Sequence, residues 1–167
     1  MSHRDLPRDE LHAQGMVEVV VEIPQGRHSK FEEDDDGRIW FDRRIGGPAG
    51  FPGEYGYVVG AGGEDGDALD ALVLMPEATF PGVHMIARVI GAFLLSIGDR
   101  RETKLICVAV NDSSSDHLKD LGDLPSAQVD ELVAFFEAYR MLEPGTIEVL
   151  ERQGRDQALT MVPGSGH

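Results

Sequence analysis

The sequence has 167 residues, of which 41% are hydrophobic and 7% aromatic, so the chain is long enough for one domain with an apolar core and too short for two ordinary domains. Thirty acidic residues against fifteen Lys and Arg give a formal net charge of −15. This charge repels nucleic-acid phosphates and excludes nucleic acid as a partner, and a small anionic substrate would need bound cations or a local basic cluster.

Neither a signal segment nor a membrane span is expected. The first ten residues are polar, and no stretch of ~18 apolar residues occurs in the chain. Cys107 is the single cysteine, and its apolar surroundings in residues 105–110 predict a buried, unreactive thiol in a reducing compartment. We therefore expect a cytoplasmic protein without a membrane partner.

The first predicted elements are strands. Residues 1–15 mix charges with Pro and Gly and are predicted to form a flexible arm. Residues 16–23 are β-branched and partly alternating, which predicts a strand with Glu18 and Glu22 on one face. Residues 30–32 and 38–43 flank an acidic turn and predict a hairpin whose tip is only solvated.

The middle of the chain favours a β-barrel. Residues 46–66 combine Gly and Pro with aromatic residues, a composition typical of short strands and tight bends. Further strands are predicted at 69–74, 83–95 and 104–110, and no helix is predicted before residue 115.

One amphipathic helix is predicted near the C-terminus. Residues 126–140 repeat apolar residues with the period of a helix, with Ser126 as N-cap and Pro144-Gly145 as the stop. Residues 154–167 are expected to be a frayed tail. The chain therefore divides into an arm (1–15), a mainly β, α+β barrel domain with one or two packed helices (16–153), and a tail.

An acidic segment carries the most specific chemistry. Asp65, Asp67 and Asp70 lead from a Gly-rich turn into a strand, where residues two apart share a face. Clustered carboxylates suit a hard divalent cation such as Mg²⁺. An ordinary acidic loop is the alternative. An EF-hand calcium-binding loop is excluded, because the bidentate Glu that follows such a loop and the helices that flank it are missing.

Residues 65–71 resemble the signature Asp-x-Asp-Pro-hydrophobic-Asp of family I soluble inorganic pyrophosphatases, with Ala68 in place of the usual proline. Other segments resemble the family in the right order, over about residues 17 to 149. They are Glu22-Ile23-Pro24, Lys30-Phe31-Glu32, Asp42-Arg43, residues 51–57, Pro81-Gly82, residues 135–140 and residues 142–145.

The resemblance implies an OB-like closed barrel that hydrolyses inorganic diphosphate with Mg²⁺, or with Mn²⁺ or Zn²⁺. It implies metal coordination by Asp65 and Asp70 and proton acceptance from the attacking water by Asp67. A homo-oligomer is also expected. The phosphate-binding catalytic residues would be Lys30, Arg43, Tyr139 and Arg140, and the supporting or substrate-binding residues would be Glu22, Glu32, Tyr55 and Lys104.

Several positions depart from the family pattern. Ile97 falls where the family has a metal-binding Asp, while Glu102 and Lys104 match the acid and the lysine that follow. Either this metal ligand is lost in the present chain, or Asp99 takes its place. We expect Asp99 and Glu102 to serve as metal ligands. Phe51 replaces a phosphate-contacting Tyr, and Thr146 replaces a Lys; each loss lowers the expected rate.

Two other functions stay open at the level of sequence. The chain could be a catalytically impaired metal- and phosphate-binding protein that acts in sensing or partner binding, although a retained Asp67 argues for catalysis. It could also hydrolyse a larger phosphoanhydride such as a nucleotide. The six histidines are scattered and have no zinc spacing.

Overall fold

The computed structural model describes residues 2–47, 49–62, 68–139 and 146–165. Within them the strands are β1 Met16–Ile23, β2 Ser29–Glu33, β3 Ile39–Arg44, β4 Glu54–Gly62, β5 Ala68–Leu74, β6 His84–Ile97, β7 Arg100–Ala109 and β8 Ile147–Gly154. The α-helices are α1 Arg8–Ala13, α2 Ser126–Ala138 and α3 Arg155–Leu159. No helix in this part of the chain is both long and apolar enough to cross a membrane.

Five strands form a closed ring. The sheet order is β1-β4-β5-β7-β6-β8, and an additional pairing between β1 and β6 closes the ring. The β5–β7 pair is parallel, its neighbours are antiparallel, and β8 extends the sheet beyond β6. The structure thus confirms the predicted mainly β, OB-like barrel, while β2 and β3 form a separate hairpin.

The two faces of this curved sheet carry different apolar clusters. One cluster is rich in Ala and Val and draws on all five strands of the ring, as a narrow barrel interior requires. The other contains larger side chains and packs the strands against α2 through Phe93 and Phe136. Leu72 belongs to the α2 side, so Asp70, two residues earlier on β5, lies on that same face.

Strands β1 and β4 approach unusually closely. A Cβ added at Gly56 would lie only 1.8 Å from the carbonyl oxygen of Val20, so a side chain at this position is excluded. The close approach holds Tyr55 at its register position opposite Ile23 and Leu72.

Most of the predicted elements agree with the structure. Strand β1 has the predicted bounds, β2 and β3 form the predicted hairpin, and α2 begins where it was predicted. The N-cap, however, is Pro125 rather than Ser126, and α2 ends at Ala138 because Tyr139 is extended. The predicted stop at Pro144-Gly145 lies outside the described residues, and β8 was not predicted.

The predictions of a flexible arm and a frayed tail are wrong for the helical parts of both segments, and α1 also contradicts the prediction of no helix before residue 115. Helix α1 buries Leu11 and His12, and His12 Nδ1 lies 2.7 Å from the carbonyl oxygen of Pro163. Helix α3 buries Ala158 and Leu159 in the barrel-interior cluster. Both helices are too short to show a periodic pattern and depend on packing for their stability.

Leu159 in α3 is fully buried, so we expect truncation of its side chain to lower the stability of the protein. Leu159→Ala should lower the free energy of unfolding by about 2 to 4 kcal/mol because it leaves a cavity. Leu150→Ala, at a position 36% exposed, is the matched control and should cost less than about 1 kcal/mol. Urea denaturation measures both, and equal small losses would show that the C-terminal segment is not packed in solution.

Candidate active site

A buried lysine organises the polar cluster on the α2 side of the barrel. Lys104 is 1% exposed, and its Nζ donates to Asp70 Oδ2 at 2.7 Å, Glu102 Oε2 at 2.9 Å and the Tyr55 hydroxyl at 2.9 Å. All three ammonium protons therefore have acceptors. The strand register creates the cluster, because Asp70 pairs with Lys104 across β5 and β7 and Glu102 lies two residues earlier on β7.

The same contacts leave one oxygen of Asp70 available. Tyr55 donates its hydroxyl proton to Asp70 Oδ2 at 2.9 Å, the oxygen that also accepts from Lys104. Among the described residues Oδ1 has no hydrogen-bond partner. Asp70 therefore presents one fixed oxygen, with a defined direction, to a ligand.

Burial and charge act against each other at Lys104. Burial alone would lower the pKa of the ammonium, but Asp70 and Glu102 outweigh burial and raise this pKa above its ordinary value. The pKa of Tyr55 is raised well above its usual range by burial and by the Asp70 carboxylate. Lys104 is consequently charged and Tyr55 protonated at neutral pH.

A second charged group lies on β1 and the hairpin. Lys30 Nζ is 3.7 Å from Glu22, 3.5 Å from Glu32 and 3.9 Å from Asp42. Asp42 also pairs with Arg43, which stands opposite Lys30 in the hairpin register. The distances from Lys30 exceed those of close hydrogen bonds, so its ammonium retains capacity for another acceptor.

Electrostatics connect the two groups. Burial raises the pKa of Glu22 to about 7, Lys30 opposes this shift, and repulsion from Asp70 and Glu32 adds to it. Burial followed by Asp70 also raises the pKa of Tyr139, while Arg43 lowers it. The charged side chains of the two groups are therefore close enough to shift each other's pKa values and those of the tyrosines.

Aromatic packing positions Tyr139 just beyond the end of α2. The Phe51 ring lies 5.1 Å from the rings of both Tyr55 and Tyr139 and 4.8 Å from the Phe135 ring, measured between centroids. Phe51 is 2% exposed, so where the family pattern has a hydroxyl this chain has a packing contact. Its ring restricts both tyrosine side chains through edge and tilted contacts.

The described structure brings together most of the predicted site residues but does not bring Asp99 to them. Asp65, Asp67 and Arg140 lie outside the described residues. Asp99 forms, with Gly98, the two-residue connection between β6 and β7. Lys104 lies four positions after Arg100 on β7, about 13 Å at ~3.3 Å per residue, so the backbone of Asp99 is distant from the Asp70–Lys104 pair.

Ile97 has a structural role instead. It is 5% exposed and belongs to the apolar cluster under α2, and it pairs with Arg100 and Ile147. The expectation that the loop takes another path to bring Asp99 in is therefore not supported. Thr146 precedes β8 and is exposed.

Sequence reasoning missed two contributors to the site. Asp42 contacts both Lys30 and Arg43, and Phe135 packs on Phe51 and Tyr139. The position of Asp42 beside Arg43 in a predicted hairpin was the available signal for the first. No local signal distinguishes Phe135 from an ordinary residue of an amphipathic helix.

The available donors suit a hard divalent cation. Asp70 and Glu102 offer carboxylate oxygens, the donors that Mg²⁺ prefers, and Lys104 fixes one oxygen of each. No three metal-ligating side chains within the described ranges converge on one point by themselves. Asp65, another predicted metal ligand, lies outside these ranges.

Comparisons with known proteins identify the family. A family profile described as inorganic pyrophosphatase matches residues 19–165. The chain is 41% identical over 143 residues to the inorganic pyrophosphatase of Streptomyces coelicolor, an alignment that covers 84% of this chain and 88% of that protein. The chain belongs to the inorganic pyrophosphatase family.

Solved structures of family members share the fold. The crystal structure of the Thermus thermophilus inorganic pyrophosphatase matches with a TM-score of 0.83 and 36% identity, and covers 92% of this chain and 90% of that chain. The Helicobacter pylori inorganic pyrophosphatase matches with a TM-score of 0.80 and 31% identity over 90% of this chain and 91% of that chain. The predicted family and the predicted barrel are both confirmed.

Removing the charge at Lys104 should destabilise the protein. Lys104→Met leaves Asp70 and Glu102 without their shared cation, and in chelator it should lower the free energy of unfolding by about 2 to 3 kcal/mol. Lys119→Met removes an exposed charge and should cost no more than about 0.5 kcal/mol. Denaturant titration compares the two, and indistinguishable midpoints would contradict the assigned role of Lys104.

Variants at Ile97 and Asp99 test the two roles in the β6–β7 region. Asp99→Ala should leave the metal requirement for turnover unchanged because the side chain is remote from Asp70. Ile97→Asp buries a charge and should lower the free energy of unfolding by about 2 kcal/mol or more, whereas Ile97→Val should cost about 1 kcal/mol. A sharply raised metal requirement in Asp99→Ala would instead make Asp99 a ligand.

Proposed function

We propose that the protein hydrolyses inorganic diphosphate to two phosphates with the help of a divalent metal ion. The observation that carries the proposal is the Lys104 cluster beside Lys30, Arg43 and Tyr139. It holds Asp70 with a free Oδ1 and Glu102, whose Oε1 pairs with Arg100 at 3.3 Å. Membership in the inorganic pyrophosphatase family supports the reaction. Magnesium is the proposed ion, since the donors are carboxylate oxygens, and Mn²⁺ or Zn²⁺ are alternatives.

The metal ligands that we propose are Asp65, Asp70 and Glu102. A bound divalent ion would supply charge neutralisation for the substrate phosphates and acidify a water molecule. Lys104 acts as a positioning residue, because it fixes Asp70 Oδ2 and Glu102 Oε2 and leaves Asp70 Oδ1 free. Tyr55 donates to the same Oδ2, and its hydroxyl lies 2.9 Å from the Lys104 ammonium.

The phosphate-binding residues lie on the hairpin and at the end of α2. Lys30 and Arg43 would bind phosphate oxygens, and their present carboxylate partners Glu22, Glu32 and Asp42 hold them in place without saturating them. Tyr139 would donate its hydroxyl, since its raised pKa keeps the proton on the oxygen. Arg140 would add a forked donor.

Hydrolysis then needs one proton acceptor. Asp67 would accept a proton from the water that attacks one phosphorus atom, and the bond from that phosphorus to the bridging oxygen would break, releasing the second phosphate. Lys30, Arg43 and Tyr139 would stabilise the charge that accumulates on the departing phosphate. The missing hydroxyl at Phe51 and the missing cation at Thr146 would each lower the rate of hydrolysis by about 10- to 1000-fold.

Family membership does not favour a purely noncatalytic role in sensing or partner binding. Hydrolysis of a larger phosphoanhydride is the second substrate hypothesis, and nothing in the described polar cluster favours it over diphosphate. A cytoplasmic location and a homo-oligomeric state also remain predictions.

Turnover should depend completely on a divalent ion. Clustered carboxylates repel diphosphate, so phosphate release should occur with Mg²⁺ and stop in excess chelator. Parallel assays with Mn²⁺ and Zn²⁺ determine the preference. Undiminished release in chelator would refute the metal mechanism, and no release with any of the three ions would favour the noncatalytic role.

Two Asp→Asn variants separate proton acceptance from coordination. Asp67→Asn should reduce turnover by at least about 100-fold with little change in metal affinity, since its proposed role is general-base catalysis. Asp70→Asn should weaken both turnover and metal affinity. Calorimetric metal titration provides the comparison, and an equal loss of metal affinity in the two variants would show that the roles are misassigned.

A further inference from the structure

Glu102 lies between two cationic side chains. Its Oε2 accepts from the Lys104 ammonium at 2.9 Å, and its Oε1 lies 3.3 Å from Nη1 of Arg100. The three residues alternate along β7, so their side chains lie on the same face of the strand. That face is the α2 side of the barrel, because Ile106 and Val108 continue the alternation into the apolar cluster under α2. Arg100 therefore belongs to the polar cluster that Lys104 organises.

The two cations differ in their access to solvent. The side chain of Lys104 is 1% exposed, whereas that of Arg100 is 39% exposed. Separating Lys104 from Glu102 would leave a buried charge with one partner fewer, which is costly. The Arg100 guanidinium can leave Glu102 and be solvated by water, so its ion pair is worth much less. Arg100 is therefore the exchangeable partner of Glu102.

The residue opposite Arg100 favours the contact with Glu102. Ile97 pairs with Arg100 in the register of β6 and β7, at a position where the family pattern has an Asp. The aliphatic side chain of Ile97 offers no acceptor to the guanidinium and provides an apolar surface for the arginine stem. An Asp at this position would compete with Glu102 for the guanidinium, and Ile97 removes that competition.

Arg100 covers the oxygen of Glu102 that a metal ion would use. Lys104 already holds Oε2, so coordination through Oε1 requires the guanidinium to move away. Mg²⁺ binds oxygen ligands at about 2.1 Å, so a phosphate oxygen on the same ion would lie within about 4.2 Å of Oε1. The Arg100 guanidinium starts 3.3 Å from Oε1, and a small movement of this long side chain brings it to such a phosphate oxygen.

We propose that Arg100 holds Glu102 Oε1 until a divalent ion takes that oxygen, and that Arg100 then binds a phosphate oxygen of diphosphate. A guanidinium suits the second role because it donates to phosphate in a forked geometry. The inference rests on the proposed function and adds Arg100 to the residues that contact the substrate. It requires that loss of the guanidinium tightens metal binding and weakens substrate binding.

Calorimetry on Arg100→Gln tests both effects without hydrolysis. Titration of chelator-treated protein with Mn²⁺ should show at least about 3-fold tighter binding than in the parent, because the competing cation is gone. The relevant site is the one whose affinity falls in Glu102→Gln. Titration with methylenediphosphonate, a diphosphate analogue that is not hydrolysed, at saturating Mn²⁺ should show at least about 10-fold weaker binding.

The matched control is Arg101→Gln, which makes the same charge change at the next residue, exposed on the opposite face of β7. This variant should equal the parent in both titrations, and denaturant midpoints verify that all variants are folded. Unchanged or weaker Mn²⁺ binding in Arg100→Gln would overturn the competition for Glu102, and unchanged binding of the analogue would overturn the substrate contact. Neither titration measures phosphate release, so a failure of the proposed function is seen separately, as a parent protein that shows these binding results without turnover.

Discussion

The proposed site depends on one buried cation. Lys104 is almost completely removed from solvent and donates to Tyr55, Asp70 and Glu102. Without this ammonium, two neighbouring carboxylates would repel each other in a site of low dielectric constant, and without the carboxylates the ammonium would not remain charged there. The Lys104 ammonium and the carboxylates of Asp70 and Glu102 therefore depend on one another. Their contacts determine where carboxylate oxygens are available to a metal ion.

The barrel creates this interdependence through the parallel pairing of β5 and β7. Register across β5 and β7 sets Asp70 beside Lys104, and the α2 side of the sheet provides the apolar surroundings. The same helix ends in front of Tyr139, whose ring is restricted by Phe51. The hairpin then adds Lys30 and Arg43 from a different direction. Fold, packing and charge thus converge on one face, where an acidic chain can accept an anion through bound cations.

Local patterns in the sequence predicted the strands well because alternation, Pro24 and Gly-rich turns act over a few residues. The family resemblance supplied most of the site residues, but it gave no information on how Lys104 contacts Asp70, since that pairing joins segments far apart in the chain. The burial of Ile97 was missed because the tight turn through Gly98 has no distinctive pattern. Helix α3 was missed because five residues are too few for a periodicity.

The central claim is that Lys104 prepares Asp70 and Glu102 to coordinate a divalent ion. Anomalous diffraction from a crystal soaked in Mn²⁺ tests it most directly, because the manganese position is observed independently of the protein atoms. We expect an anomalous peak within coordination distance of Asp70 Oδ1, about 2.2 Å, with Glu102 as a neighbouring ligand and the Lys104 contacts retained. A bound manganese ion located elsewhere, with Asp70 and Glu102 contacting only Lys104 and Tyr55, would contradict the account.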